Sequence, residues 1–266
     1  MWWIQWTLGL SAVALVLLPW VVGGGLLDLT QVGEPSTVPS LLPHASLHPD
    51  LFWTLLALCA LVAGFLARGP GRRALQFSVV AGLGVLAGWL AAGYQSWAVL
   101  APFSGLADWT RVHMGSLLVG VVVMLVLYWL IARANLQWVA LGVALVGFSP
   151  GLWFAAWFDD PLIESRAGYI GPVVLGLLLG LLGFTRVRSL LIWCLALVLQ
   201  WLTPAVLLPV QQRLTNPEGE PGDARLGDLL TGHALHLQWL SFSVATLAMA
   251  MLVSVGLLVV RRIRGR

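Results

Sequence analysis

Long apolar runs separated by short polar ones follow one another through the whole chain, and the length of those runs predicts its elements. A helix needs about 20 predominantly apolar residues to cross a hydrocarbon core of about 30 Å. Eight segments qualify, at 8–27, 51–67, 75–93, 114–132, 137–157, 170–184, 190–209 and 239–260. The reading is an all-α integral membrane protein of eight transmembrane helices, a single polytopic membrane domain over 1–266. The first run lacks the basic start of a secretory signal and a small-x-small cleavage site, so it is expected to stay as the first span.

Composition agrees with the pattern and removes the soluble classes. With 59% hydrophobic residues, 9% charged residues and fifteen tryptophans, the chain does not describe a soluble domain of 266 residues. Cys59 and Cys194 each lie within an apolar run and read as small apolar residues, with no disulfide framework. Lysine is absent, which reads as the codon habit of a GC-rich bacterial genome. The net charge of +3 comes from juxtamembrane arginines and forms no nucleic-acid-binding run, so no nucleic-acid partner is expected.

Charge orients the spans, because basic residues in short loops resist translocation. With both termini cytoplasmic, Arg68, Arg72, Arg73, Arg133, Arg186, Arg188, Arg261, Arg262, Arg264 and Arg266 lie inside, and Arg111, Arg166, Arg213 and Arg225 outside. The same threading puts all eleven acidic residues and all five histidines outside, although they were not used to choose it. Trp53, Trp97, Trp109, Trp157 and Trp239 then stand near outer ends and Trp2, Trp3, Trp129, Trp138 and Trp193 near inner ends, as interfacial belts require. The expected location is the bacterial cytoplasmic (inner) membrane, with the lipid bilayer as the first partner.

The inner connections are too short for a folded domain or a nucleotide site, whereas the outer loops at 28–50, 94–112, 158–169 and 210–237 are longer. Loop lengths repeat between spans 1–4 and 5–8, which suggests a 4+4 parallel repeat, 1–135 and 136–266, related by an axis along the membrane normal as in some transporters. The echo is most concrete where Asp108 precedes His113 and Asp228 precedes His233 with the same Asp-x4-His spacing.

Candidate chemistry gathers at two places. His233 and His236 are neighbours at i and i+3 on a helical face, and with His113, Asp108, Arg111 and Asp228 they would line the outer mouth of the bundle. Imidazole and carboxylate suit transition metals, and facing histidines can ligate haem, so His113, His233 and His236 form the metal set of an alternative reading; the plainer one is polar residues at headgroup depth. The second place is two interrupted spans, at Ser149, Pro150 and Gly151 in the fifth and at Gln200, Thr203 and Pro204, followed by Pro209, in the seventh. Proline removes a backbone donor and crowds the preceding turn. Broken helices of this kind line midplane substrate sites in transporters, and a simple kink is the structural alternative.

No Asp, Glu, Lys, Arg or His sits near a span centre, which disfavours a proton pump. Gly84 with Gly88, and Gly176 with Gly180, have the spacing of close helix contacts or an oligomer face. His-Glu-x-x-His, Gly-x-Ser-x-Gly and Walker motifs are all missing, and Ser116 beside His113 lacks a third orienting group, so no enzyme is expected.

Leu18-Pro19-Trp20, Gly69-Pro70-Gly71-Arg72-Arg73, Ala91-Ala92-Gly93-Tyr94 and Arg111-Val-His-Met-Gly115-Ser116 together resemble the extra N-terminal membrane segment of osmoprotectant-type ABC importer permeases. The resemblance covers the N-terminal half of the chain and its motifs are short. It implies an accessory or diverged membrane component, because the cytoplasmic coupling loop that docks the ATPase in those permeases has no counterpart in the short inner loops. The leading reading is a permease-like subunit or accessory for a small solute, without a cofactor, with other membrane subunits or an ATPase and a solute-binding protein as partners. The alternatives are a membrane haem- or metal-handling redox protein and a scaffold subunit of a larger complex.

Overall fold

Backbone groups in apolar runs of this length are satisfied within helices. A computed structural model of the chain describes residues 2–23, 25–28, 30, 37–45, 49–68, 74–103, 106–155, 166–215 and 237–264. Among them nine helices form: α1 (Trp2–Val22), α2 (Pro49–Leu66), α3 (Ala74–Leu100), α4 (Ala107–Arg133), α5 (Leu136–Val146), α6 (Ser149–Ala155), α7 (Ile170–Leu182), α8 (Val187–Thr215) and α9 (Leu237–Arg264). The helical class holds, with one addition: β1 (Leu26–Asp28) and β2 (Thr37–Pro39) make an antiparallel ribbon in the register Leu26↔Pro39, Leu27↔Val38, Asp28↔Thr37.

Among the described residues five helices are long and apolar enough to cross a membrane: α1, α3, α4, α8 over Val187–Val206 and α9 over Leu240–Arg264. The apolar part of α2 (Leu51–Leu66), α5 and α7 are shorter. At 1.5 Å per residue the 13 residues of α7 span about 20 Å, less than a hydrocarbon core. Gly183, at φ +71°, ends α7. The fifth apolar run divides between α5 and α6 at Gly147 and Phe148, so the interruption expected there is present. The seventh run differs from expectation, because α8 continues through Pro204 without a break. α3 and α4 also run beyond the expected 93 and 114 limits, to Leu100 and from Ala107, which turns most of the expected 94–112 loop into helix.

Two compact units divide the chain: Met1–Arg133 with Trp153–Asp159, and Ala134–Leu152 with Asp160–Arg266. Within the first, α1 lies chiefly on α3 and α2 on α4, with smaller contacts of α3 on α4 and α1 on α2. Within the second, α7 lies chiefly on α9, α5 meets α8 and α7, and α8 meets α9. Taking α5, α7, α8 and α9 as the first to fourth helices of the second unit, both units pair first with third, second with fourth, first with second and third with fourth.

Small residues permit these approaches. A Cβ on Gly84 would meet the Trp6 carbonyl oxygen and the Gly9 Cα of α1, and one on Gly176 would meet Met249 and the Thr246 carbonyl of α9. The glycine pairs picked out by spacing therefore serve contacts inside each unit. The core of the first unit holds Phe52, Leu55, Trp89, Met124, Tyr128 and Ile131, all buried. Trp89 Nε1 donates to Cys59 Sγ at 3.3 Å, so this thiol behaves as a buried, weakly accepting core group. Arg68 donates to the Ile131 carbonyl near the end of α4 at 2.7 Å, where a cation also complements the helix dipole. Trp193, read from sequence as an interfacial ring, is instead buried, and its Nε1 donates to the Leu179 carbonyl of α7 at 3.0 Å.

Candidate functional site

The added turns of α3 and α4 carry the polar groups that hold residues 37–45 over one end of the first unit. Leu41 N donates to Gln95 Oε1 at 2.8 Å, and Gln95 Nε2 donates to the Pro39 carbonyl at 3.2 Å. The hydroxyls of Ser40 and Ser96 are 3.0 Å apart, and Trp20 Nε1 of α1 donates to the Ser40 carbonyl at 2.9 Å. A segment expected to be loop is thus tied to α1 and α3 by side chains, and Leu42 is wholly buried beneath it.

That cover brings two histidines together. His44 and His113 are each 1% exposed, with ring centroids 4.7 Å apart and planes 18° from parallel. Phe52 of α2 meets His113 edge-on at 5.7 Å, and Trp109 of α4 is tilted against His44 at 5.3 Å. Nδ1 of His113 accepts a hydrogen bond from Ala45 N at 3.2 Å. A neutral imidazole that accepts at one nitrogen carries its proton on the other. His113 Nε2 is therefore an N–H donor, and it is buried with no hydrogen-bond partner among the described residues. This arrangement suits an acceptor oxygen. It offers a metal no lone pair at either nitrogen.

Asp108 and Arg111 do not join the histidine. They form an exposed ion pair with each other at 3.0 Å on α4, one turn apart. His113 follows Asp108 by five helical positions, about 140° around the axis, which puts the ion pair and the buried imidazole on different faces. Among the described residues no group of three His, Cys, Asp or Glu side chains could hold a metal ion. Asp228, His233 and His236 lie outside the described residues.

The second set of predicted residues falls in the second unit and is structural in its contacts. Ser149 Oγ donates to the Val146 carbonyl at 2.6 Å, bridging the α5–α6 break, while Pro150 occupies an early position of α6 where its missing N–H costs least. A Cβ on Gly171 would run into the Gly147 carbonyl, and one on Gly151 would lie 2.7 Å from the Gly168 Cα, so backbones meet closely around the break. Gln200 is buried, with its Oε1 3.0 Å from Thr246 Oγ1; that hydroxyl is also 3.2 Å from the Pro172 carbonyl and 3.0 Å from the Phe242 carbonyl. The Thr246 hydroxyl thus has acceptors from α8, α7 and α9 within reach of its single proton. Thr203 is half-buried and Pro204 buried. Gln200 is a tie between helices, where the sequence reading made it a wall of an open cavity. Thr246→Val should lower stability by about 1–3 kcal/mol, the usual cost of stranding buried acceptors, read as a drop in the melting midpoint of the purified protein.

Sequence reasoning missed His44 and Thr246. The available signal for His44 was Leu41-Leu42-Pro43-His44-Ala45, an apolar run inside a loop otherwise rich in polar and turn-forming residues. Comparison of the chain with protein-family models, with curated proteins and with solved structures found no match.

Proposed function

We propose that this is a transport protein of the bacterial cytoplasmic membrane, with eight spans, cytoplasmic termini and two parallel repeats over 1–135 and 136–266, acting as a permease-like subunit or accessory for a small solute. The observation that carries the reading is the recurrence of one helix-pairing scheme in the two units. Parallel repeats related along the membrane normal are a transporter architecture. The resemblance of Arg111-Val-His-Met-Gly115-Ser116 and its companion motifs to the osmoprotectant importer segment favours the same class.

In this reading the solute enters from the outer side and presents an acceptor oxygen to His113 Nε2–H, beneath the cover of residues 37–45. Stranding a buried donor costs about 1–3 kcal/mol, so an incoming acceptor has that much to gain there. The tautomer of His113 argues against the haem or metal alternative at this residue. The chemistry needed is binding and release, and no enzymatic step is assigned.

Affinity purification from native membranes in gentle detergent, with mass spectrometry of the co-purifying proteins and a visible spectrum of the same sample, tests the proposal. The expected result is a colourless protein accompanied by an ATPase, a solute-binding protein or another membrane subunit in stoichiometric amount. A haem band, or a chain that purifies alone and moves no solute in reconstituted vesicles, would overturn it.

A further inference from the structure

A cleft of about 400 Å³ opens in the second unit where α7 ends and α8 begins, closed on its other sides by the start of α5 and the last turns of α9. Its volume lies within the ordinary range of ligand sites, about 300–1,000 Å³. Three arginines line it, Arg186, Arg188 and Arg261, together with Gln137 and Thr185. No acidic side chain lines the cleft, and none of the three arginines has a carboxylate partner among the described residues. The lining hydroxyls of Ser189 and Ser254 are already committed, to the carbonyls of Leu182 at 3.4 Å and Gly180 at 3.0 Å. The charged side chains that remain to bind a ligand are all cationic.

The 29-residue helix α8 begins at the cleft with no acidic residue in its first turn, so its positive dipole end faces the negative end of α7 there and the arginines supply the net positive charge. Guanidinium groups and helix N-termini are the recurring partners of phosphate oxygens.

The remaining walls have the opposite character. Leu181, Leu257 and Leu258 also line the cleft, and Leu181 and Leu258 are 53% and 41% exposed. A free anion would leave those side chains uncovered, whereas a molecule with a phosphate at one end and hydrocarbon at the other covers both surfaces.

We propose that this cleft is a binding site for the phosphate headgroup of an anionic phospholipid, with Arg186, Arg188 and Arg261 on the phosphate and the leucines against the upper acyl chains. Basic pockets between membrane helices take such headgroups. The site is separate from the histidine cluster of the first unit and does not depend on the transport reading.

Native mass spectrometry of the full chain titrated with phosphatidylglycerol, phosphatidylcholine or inorganic phosphate tests it. Wild type should retain phosphatidylglycerol in preference to phosphatidylcholine. Retention should fall roughly fivefold for each arginine replaced by glutamine and about a hundredfold in R186Q/R188Q/R261Q. The lysine triple R186K/R188K/R261K should keep much of the binding, while R133Q should bind as wild type does. In parallel, a photoactivatable phosphatidylglycerol on the unmodified protein should cross-link within residues 180–189 or 254–261, a readout that does not require any variant to fold. Competition separates the two sources of phosphate: millimolar inorganic phosphate should leave the lipid bound, and displacement by it would make this a free-anion site and overturn the lipid assignment. Equal retention by wild type and the glutamine triple, equal loss in R133Q, or cross-links confined to other segments would overturn the site itself.

Discussion

Gly84→Leu should prevent the first unit from closing. The new side chain begins where the Trp6 carbonyl and the Gly9 Cα already stand, and both are backbone, so no rotamer change in a neighbour relieves the clash. Overpacking of a well-filled core costs about 1–3 kcal/mol, and more where backbone must move, a large share of the stability of any domain. The expected result is loss of the monodisperse peak in detergent size-exclusion chromatography and a sharp fall in the amount of protein that accumulates in membranes. Gly176→Leu should do the same in the second unit through Met249 and the Thr246 carbonyl. Gly115→Leu and Gly256→Leu are the controls, because a Cβ at either position meets nothing within 4 Å. Equal accumulation of Gly84→Leu and Gly115→Leu would contradict the α1–α3 contact.

His113→Phe should separate the ring from its nitrogens. A phenyl ring keeps the stack on His44 and the edge contact with Phe52, but the Ala45 N–H loses its acceptor in a buried site. Stranding that donor costs about 1–3 kcal/mol, but the substitution also removes the unpartnered His113 Nε2–H, which relieves a cost of similar size, so the melting midpoint should change little. Amide hydrogen exchange in residues 37–45 should accelerate, since the α4 tie of the cover is gone while the Gln95 and Ser96 ties of α3 remain. If the site takes a solute acceptor, binding should fall by at least about tenfold as well, the equivalent of about 1.4 kcal/mol. Unchanged exchange across 37–45 would show that His113 does not hold the cover; unchanged solute binding would remove it from the site.

The apolar runs made the helices legible because length and composition are all that a spanning segment requires. Their limits were less legible for a physical reason: hydropathy marks where lipid ends, and a helix goes on past that point if its next residues favour it. Tyr94, Gln95 and Ala98 carry α3 onward in this way, and Ala107 to His113 begin α4 early. Pro150 and Pro204 looked alike in sequence, yet one accompanies a break and the other sits inside a continuous helix. Pro150 has Gly147 upstream and close backbone contacts with Gly171 around it, whereas Pro204 has a regular helix on both sides. Such differences depend on tertiary neighbours and leave no local mark. The histidine pair was half legible. Spacing singled out His113, but His44 reaches it only because residues 37–45 fold back across 68 positions of sequence to meet it, at the Ala45–His113 hydrogen bond.

The pairing scheme also sets an order of events during synthesis. In the first unit the chief partner of each helix is two helices away, α3 for α1 and α2 for α4. When α1 and α2 have left the ribosome they have only their smaller mutual contact, and the glycine-bearing face of α1 has to wait for α3. Neither chief contact of α2 nor the seat of the histidine pair exists until α4 has been inserted. A nascent chain halted after α3 would therefore carry one finished seam and one open one, and the insertion machinery or a chaperone must shield the open side until the fourth helix arrives.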